Sequence, residues 1–491
     1  MKQNSMNRNN PDKIVNPVNR IASFINSMRL VSVLKVIFPN IIPIKPILYL
    51  LFFGLSIQSS MGQRTKEINW PKTYTDQLFH LTEVMVTDVA SPPVAARIYA
   101  YSTLATYLAV KETGATFRHD TILGYTYLND HAWQLDNPTI FSPEFAAIYS
   151  MLKVGEAIMP SGYLLKEKQE NWIQTALKAK IITKNSLQAH LDFASAVASQ
   201  VIDVAKKDGY LQLSTLNRYT PQEGEGFWYP TPPAYIGAVE PEWKTIKPFF
   251  IKDLEAFAPA PMAAFDMTEG SPFHVQLMEV YTTANELDDE QKLIANFWDC
   301  NPFKVEFTGH MAMGVKKISP GGHWMGITGI AAQKATLTFE ETAFIHALIG
   351  LSLHDAFISC WKAKYDTDRI RPETVINQNL DQRWRPLLQT PPFPEYTSGH
   401  SVISRAAAVV LTGYFGDNFS FIDSSETYFG LPERPFPSFL YASEEAAISR
   451  LYGGIHFRDA IEEGVKQGEQ IGKMIWGNFD SSGKATESES K

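Results

Sequence analysis

The stretch from Thr338 to Tyr365 constrains the fold most. Thr338 and Glu341 stand three apart as a capping box, and Phe344, Ile345, Leu348, Leu351, Ala356 and Ile358 lie on the buried side of one long helix running towards Trp361, Lys364 and Tyr365. A core helix of this kind needs helical neighbours, and the sequence supplies them. Ser91-Pro92-Pro93 opens a segment in which Ile98, Tyr101, Leu104 and Leu108 recur at three- and four-residue steps, with proline near the helix start. Another helix starts at Thr397 or Ser398, because Pro391, Pro392 and Pro394 hold the preceding segment extended and an apolar run from Val402 to Leu411 follows. The pattern predicts a third helix after Ser443, through Arg450 to Gly453-Gly454, and a fourth from about Phe457 to Trp476. Helical pattern also covers most of Trp70 to Gly209 and resumes over Thr283 to Trp298, while strand-like alternation is scarce. The fold class is therefore all-α, a helical bundle with long Pro/Trp-rich loops.

Two loops interrupt the helices. Residues 216–250 carry Trp228-Tyr229-Pro230-Thr231-Pro232-Pro233, then Pro241-Glu242-Trp243 and Pro248-Phe249-Phe250, which is too rich in aromatic residues for a linker and reads as an ordered loop. Ser319-Pro320-Gly321-Gly322-His323-Trp324 reads as the second.

Charge divides the chain. Residues 1–62 hold seven basic side chains against one acid, Asp12, whereas the whole chain is at −8, so the remainder is at −14. An acidic body of this kind argues against a nucleic-acid binder. Basic residues up to Lys45, an apolar run from Pro46 to Ile57, and the small residues Ser60 and Gly62 form the pattern of an export signal, with Met28 as an alternative start. The mature chain would then begin near Gln63 and be periplasmic or secreted, without a stable membrane span; a signal anchor over Phe38 to Ile57 is the alternative. Two cysteines rule out a disulfide scaffold, and Cys300 and Cys360, sixty apart with no Cys-x-x-Cys spacing, argue against a thiolate zinc site and a dithiol redox motif.

Against this acidic background four groups fall at helix ends: Lys364 with Arg371-Pro372, Ser398-Gly399-His400, Ser449-Arg450, and Gly454-Ile455-His456. Singly, each has an ordinary reading as a solvated helix end, an N-cap or a core histidine. Jointly they place three cations and the free N–H groups of a helix start around one point, suited to a tetrahedral oxyanion. His400 is positioned to move a proton, and His456, beyond a flexible Gly-Gly, to act as nucleophile or ligand. The chain thus divides into 1–62, an export segment; 63–335, an N-terminal helical part; 336–480, an oxyanion-binding helical bundle packed with it as one globular unit; and 481–491, a small polar tail expected to be disordered.

The spacing Lys364-x6-Arg371-Pro372, Ser398-Gly399-His400 and Ser449-Arg450-x3-Gly454-x-His456 resembles the three-part signature of the type-2 phosphatidic acid phosphatase and vanadium haloperoxidase superfamily. The Trp228 to Pro233 segment, the Pro320 to Trp324 turn and the Ser91 to Tyr101 helix are similar to features of its bacterial haloperoxidase-like members, so the resemblance covers most of the mature chain. It implies that Lys364, Arg371, Ser398, Gly399 and Arg450 bind the oxyanion, that His400 handles the proton, and that His456 bonds the central atom. As a haloperoxidase the chain would carry vanadate with His456 as axial ligand and oxidise halide with hydrogen peroxide. As an acid phosphatase it would need no cofactor and would hydrolyse a phosphomonoester through a phosphohistidine. Trp361 and Phe393 match positions where the chloroperoxidase branch carries aromatic residues beside the halide, the bromoperoxidase branch having histidine at the latter; core packing is the alternative. Two departures stand out. Thr397 replaces the usual proline before Ser398, and the carboxylate expected four residues after His456 is Ala460, leaving Asp459 or Glu463 as substitutes.

Overall fold

A computed structural model describes residues 68–112 and 141–479. The export segment over 1–62 and the tail over 481–491 lie outside the described residues, and those from Asn69 onward fall in one compact unit. That unit is built of α-helices: α1 (Trp70–Thr87), α2 (Pro92–Glu112), α3 (Pro143–Ile158), α4 (Leu165–Lys178), α5 (Leu187–Ala205), α6 (Pro272–Asn285), α7 (Asp289–Phe297), α8 (Pro320–Lys334), α9 (Phe339–Thr367), α10 (Pro372–Asn379), α11 (Gly399–Phe415), α12 (Phe439–Tyr452) and α13 (Arg458–Gly477). The strands described form two small antiparallel hairpins, β1 (Val305–Thr308) with β2 (Met311–Gly314) and β3 (Phe421–Asp423) with β4 (Arg434–Phe436).

The 29-residue α9 is the axis of the core. Its capping box forms as the sequence predicts, Thr338 and Glu341 each bonding the other's backbone N–H. It is long and apolar enough to cross a membrane, but its apolar window is wholly buried by protein. It packs against α2, α8, α11 and α13. Asp355 on its buried face accepts N–H bonds from Phe249, Phe250 and Ile251 at 2.7, 2.6 and 3.0 Å, and so fastens the end of the Trp-rich loop to the core. The α11/α13 pair is set by glycine. A Cβ at Gly468 would stand 2.1 Å from the Val402 carbonyl oxygen, so the two backbones approach more closely than any other residue would permit.

Three sequence expectations change. Ser319 to Trp324 is not a loop: Ser319 caps α8 by accepting the Gly322 N–H, Pro320 occupies the first helical position, and the glycines that suggested a loop are inside the helix. The third helix of the C-terminal part starts at Phe439 rather than after Ser443, because Ser438 is its N-cap; Ser443 lies inside and donates back to the Leu440 carbonyl. The helical pattern over Thr283 to Trp298 is two helices, separated where Asp288 forms a capping box with Gln291.

Candidate active site

Lys364 and Arg371 flank the exit of α9. Asp368 adopts a left-handed conformation that ends the helix, and Arg371 is the residue before Pro372 at the start of α10. The Trp-rich loop straps this exit. Trp228 N–H donates to the Asp368 carbonyl, Ile370 N–H to Gly226, and the Tyr219 hydroxyl to the Asp368 carboxylate at 2.6 Å. The Trp361 indole and the Tyr365 hydroxyl both donate to the Val239 carbonyl. Ser398 is the N-cap of α11, its hydroxyl accepting the Ser401 N–H, and its own N–H donates to the Ala460 carbonyl. Val402 makes the first i to i−4 bond of this helix, back to Ser398, so the N–H groups of Gly399 and His400 at its start have no partner within the helix. Arg450 sits in the last turn of α12; Gly454, at φ +74°, then reverses the chain so that His456 returns towards it.

Gly399, His400, Arg450 and His456 line one narrow cavity with Trp361, Phe393, Asp299 and Cys300. The Arg371 guanidinium, which is not among the lining residues, packs against His456: Nε donates to the Phe393 carbonyl and Nη1 to the Ile455 carbonyl, both at 2.9 Å, while Nη1 lies 3.2 Å from His456 Nε2. Arg450 Nη1 donates to the Trp298 carbonyl at 2.7 Å, and that carbonyl also faces the His400 ring. Arg371 Nη2, Arg450 Nε and His400 Nε2 are buried without partners, as are Nε and Nη2 of Arg369. Trp361 and Phe393 contact each other with ring centroids 4.9 Å apart, and Lys364 Nζ and the Arg371 guanidinium lie 5.2 and 5.1 Å from the Phe393 ring.

Lys364 is placed differently from the other cations. Its ammonium donates to the carbonyls of Pro394, Glu395 and Thr397, using all three hydrogens on the segment that leads into Ser398. Burial pushes this ammonium down to about 7, with Arg371 adding to the fall, whereas three carbonyl acceptors favour the charged form.

The expected carboxylate beside His456 is neither Asp459 nor Glu463 but Glu395. Glu395 Oε1 accepts from His456 Nδ1 and from the Phe457 N–H, both at 2.9 Å, and Oε2 faces Arg369 Nη1 at 3.3 Å. Asp459 acts one step further out by holding the same Arg369 nitrogen, and Glu463 bonds the Ala260 N–H and Lys466. A carboxylate at Nδ1 fixes the imidazole tautomer and leaves the Nε2 lone pair facing Arg371. Burial and the surrounding cations, Arg371 foremost, hold the His456 pKa well below the usual histidine range. Burial, Arg450 and His456 do the same for His400, so both rings are neutral. Burial raises the Glu395 carboxyl, and Arg369 and Arg371 pull it back. Thr397, in the place of the usual proline, donates its hydroxyl to Gln467 at 2.8 Å, leaving the capping to Ser398.

Sequence reasoning missed Glu395, Arg369 and the Trp298 carbonyl. Glu395 carried a signal, as the single charged residue in the Pro- and aromatic-rich stretch between Thr390 and Gly399. The other two join the site through chain separations of 26 and 152 residues, which no local pattern marks.

The fold and this site can be set beside known proteins. The family model for the VCPO second helical-bundle domain matches residues 344–483. A structure titled as the first bacterial vanadium-dependent iodoperoxidase is 40% identical, with 83% of this chain and 95% of that one covered and a TM-score of 0.75. Holo- and apo-type bacterial vanadium-dependent chloroperoxidase structures are both 16% identical, with TM-scores of 0.59 and 0.57. They cover 80% and 79% of this chain, and 93% and 94% of their own. At that identity they show the fold alone. No curated protein matches. The chain belongs to the vanadium haloperoxidase family, and it is an enzyme of the haloperoxidase type.

Proposed function

We propose that the cavity holds orthovanadate and that the protein oxidises iodide with hydrogen peroxide. The observation that carries this reading is the set of buried, unpartnered nitrogens of Arg371, Arg450 and His400 beside His456 Nε2, whose lone pair faces Arg371 Nη1 at 3.2 Å. Buried donors without partners are costly, and an oxyanion with several acceptor oxygens satisfies them together. Arg371, Arg450 and the helix start at Ser398, Gly399 and His400 would surround the oxygens, Lys364 would brace the segment leading into Ser398, and His456 Nε2 would bond the vanadium. Bound vanadate supplies a Lewis-acidic centre that activates peroxide towards halide.

The protein residues supply position and proton handling. Glu395 keeps His456 in one tautomer and one orientation. Arg371 and Arg450, rigid through their carbonyl contacts, stabilise negative charge without reorganising. His400, neutral and with Nε2 unpartnered, takes a proton from incoming peroxide and returns it to the product oxygen. Trp361 and Phe393 give the halide an apolar, poorly hydrated wall. Iodide is the halide of the 40% identical relative and, being the most weakly hydrated of the common halides, suits this wall best. Export of the chain to an envelope compartment belongs to the same proposal and is read by N-terminal sequencing of the mature protein.

The test is to load purified protein with orthovanadate and follow peroxide-dependent oxidation of iodide, bromide and chloride, beside hydrolysis of a chromogenic phosphomonoester. Iodide oxidation that needs vanadate and is lost in His456→Ala is expected. Phosphomonoester turnover inhibited by vanadate, with no halide oxidised, refutes the proposal in favour of the phosphatase chemistry open to the same residues.

A further inference from the structure

Behind the cavity wall three elements bring a thiol, an imidazole and a carboxylate together. Cys300 follows α7, His323 lies in the first turns of α8, and Glu426 lies in the loop between β3 and β4. All three are buried, and their ligand atoms lie within 4.8 Å of one another. Cys300 Sγ is 3.4 Å from His323 Nδ1, and Glu426 Oε1 is 3.2 Å from the same nitrogen. A tetrahedral ion with sulfur at ~2.3 Å and nitrogen or oxygen at ~2.0–2.1 Å separates S from N by about 3.5 Å and N from O by about 3.3 Å. The observed spacings agree with both.

The hydrogen bonding around His323 points the same way. Its Nε2 lies 2.7 Å from Asp423 Oδ2, and Asp423 Oδ1 is held by the Ser425 N–H and hydroxyl. A carboxylate on Nε2 places the ring proton there and turns the Nδ1 lone pair towards Cys300 and Glu426, the arrangement that orients metal-bound histidine. Glu426 Oε1 is buried and makes no hydrogen bond, although it is only 3.2 Å from Nδ1. At that separation either a proton or a metal ion lies between the two atoms.

We propose that Cys300, His323 and Glu426 bind one zinc(II) ion, with Asp423 orienting His323 and a solvent oxygen completing the tetrahedron. Cys300 enters as thiolate and releases its proton. The ion ties α7, α8 and the β3–β4 loop together directly behind Trp298, whose ring stacks on His323 with centroids 4.4 Å apart and whose carbonyl holds Arg450. It is thus a structural centre that steadies the wall of the oxyanion cavity, separate from His456.

Untagged protein is stripped with chelator and titrated with cobalt(II), then zinc(II). One equivalent of cobalt giving a thiolate-to-cobalt charge-transfer band, displaced by zinc, is expected. The chain has only two cysteines, so the band must persist in Cys360→Ser and vanish in Cys300→Ser. His323→Gln and Glu426→Gln should each weaken zinc binding at least tenfold, and zinc should raise the thermal midpoint of wild type but not of Cys300→Ser. If Cys300→Ser does not fold, Cys360→Ser decides alone, since loss of its band removes Cys300 as the ligand. No band in stripped wild-type protein, together with a thermal midpoint unmoved by zinc, overturns the proposal and leaves His323 as an imidazolium between two carboxylates.

Discussion

Glu395→Gln isolates what the carboxylate does for His456. The substitution keeps the volume and one acceptor oxygen but removes the charge. In the native site Oε1 carries two bonds of 2.9 Å, from His456 Nδ1 and the Phe457 N–H, and Oε2 faces Arg369. Glutamine can hold His456 and Phe457 with its oxygen only by turning its NH2 towards the Arg369 guanidinium, donor against donor. Hydrogen bonds to a charged acceptor are worth ~1.5–3 kcal/mol and neutral ones ~0.5–1.5 kcal/mol. About 1 to 1.5 kcal/mol is therefore lost on each of the two bonds to that oxygen. Part of this appears as lost fold stability, and the remainder as a weaker hold on the oxyanion through a less basic, less ordered His456. A tenfold to hundredfold rise in the vanadate Kd is expected, the range seen when outer partners of metal-bound histidines are removed. Calorimetric titration of vanadate measures it directly. Histidine 15N shifts provide a readout that loose packing alone would not reproduce: His456 should change from one tautomer to a mixture. A folded Glu395→Gln protein with a vanadate Kd within twofold of wild type and an unchanged His456 tautomer would refute the argument.

Other perturbations test other parts. Asp355→Ala should lower unfolding free energy by roughly 3–5 kcal/mol in urea titrations, because three backbone N–H groups lose a buried partner; Asp355→Asn, which retains an acceptor, should lose less. Gly468→Ala should destabilise by about 1–3 kcal/mol despite the better helix propensity of alanine, since the new methyl meets the Val402 carbonyl; an unchanged thermal midpoint would show that the helices can separate freely. Burial lowers His346 to about 4, so below the unfolded value of 6.5 the unfolded chain takes up a proton that the native state refuses, and stability falls as pH falls from 6.5 to 4. At 1.36 kcal/mol per unit this is about 3 kcal/mol, and the stability of wild type relative to His346→Leu should fall by that amount over the window, measured by denaturant unfolding at each pH. Orthovanadate at a hundred times its Kd should stabilise the protein by about 2.7 kcal/mol, seen as a rise in thermal midpoint; no rise would contradict an anion site in the native state.

What the sequence reveals follows from how local each feature is. The capping box at Thr338 and the Pro-rich approach to Ser398 announce helix starts within a few residues, and both are where they were expected. Ser319 to Trp324 misled because Pro-Gly-Gly is loop chemistry in isolation; here Pro320 is at a helix start, and glycine at 322 makes room for Ile318 and Tyr99, a packing reason that only the assembled core supplies. The three cation-bearing motifs were visible because each is short and ordered along the chain. Their division of labour was not. Lys364 spends its hydrogens on a loop, and Asp459 reaches His456 only through Arg369 and Glu395, relations made by contacts across tens of residues.

The way the three cations are held explains how they can be buried side by side. A guanidinium or ammonium taken out of water needs acceptors, and each here finds them in a backbone carbonyl next to another site residue. Lys364 bonds the carbonyls leading to Ser398, Arg371 bonds those of Phe393 and Ile455, the latter adjoining His456, and Arg450 bonds the Trp298 carbonyl that faces His400. Neutral carbonyls relieve desolvation without cancelling charge. Glu395 faces Lys364 and Arg371, and Asp299, which also faces Lys304 and Lys317, is the carboxylate nearest in effect to Arg450, while Arg369 is shared between Glu395 and Asp459. Positive charge therefore remains in excess at the cavity while the loops that shape it are braced by the same side chains. Charge and geometry are supplied together, so an acidic protein can present a rigid, cationic pocket whose donors have the chemistry to suit one small anion.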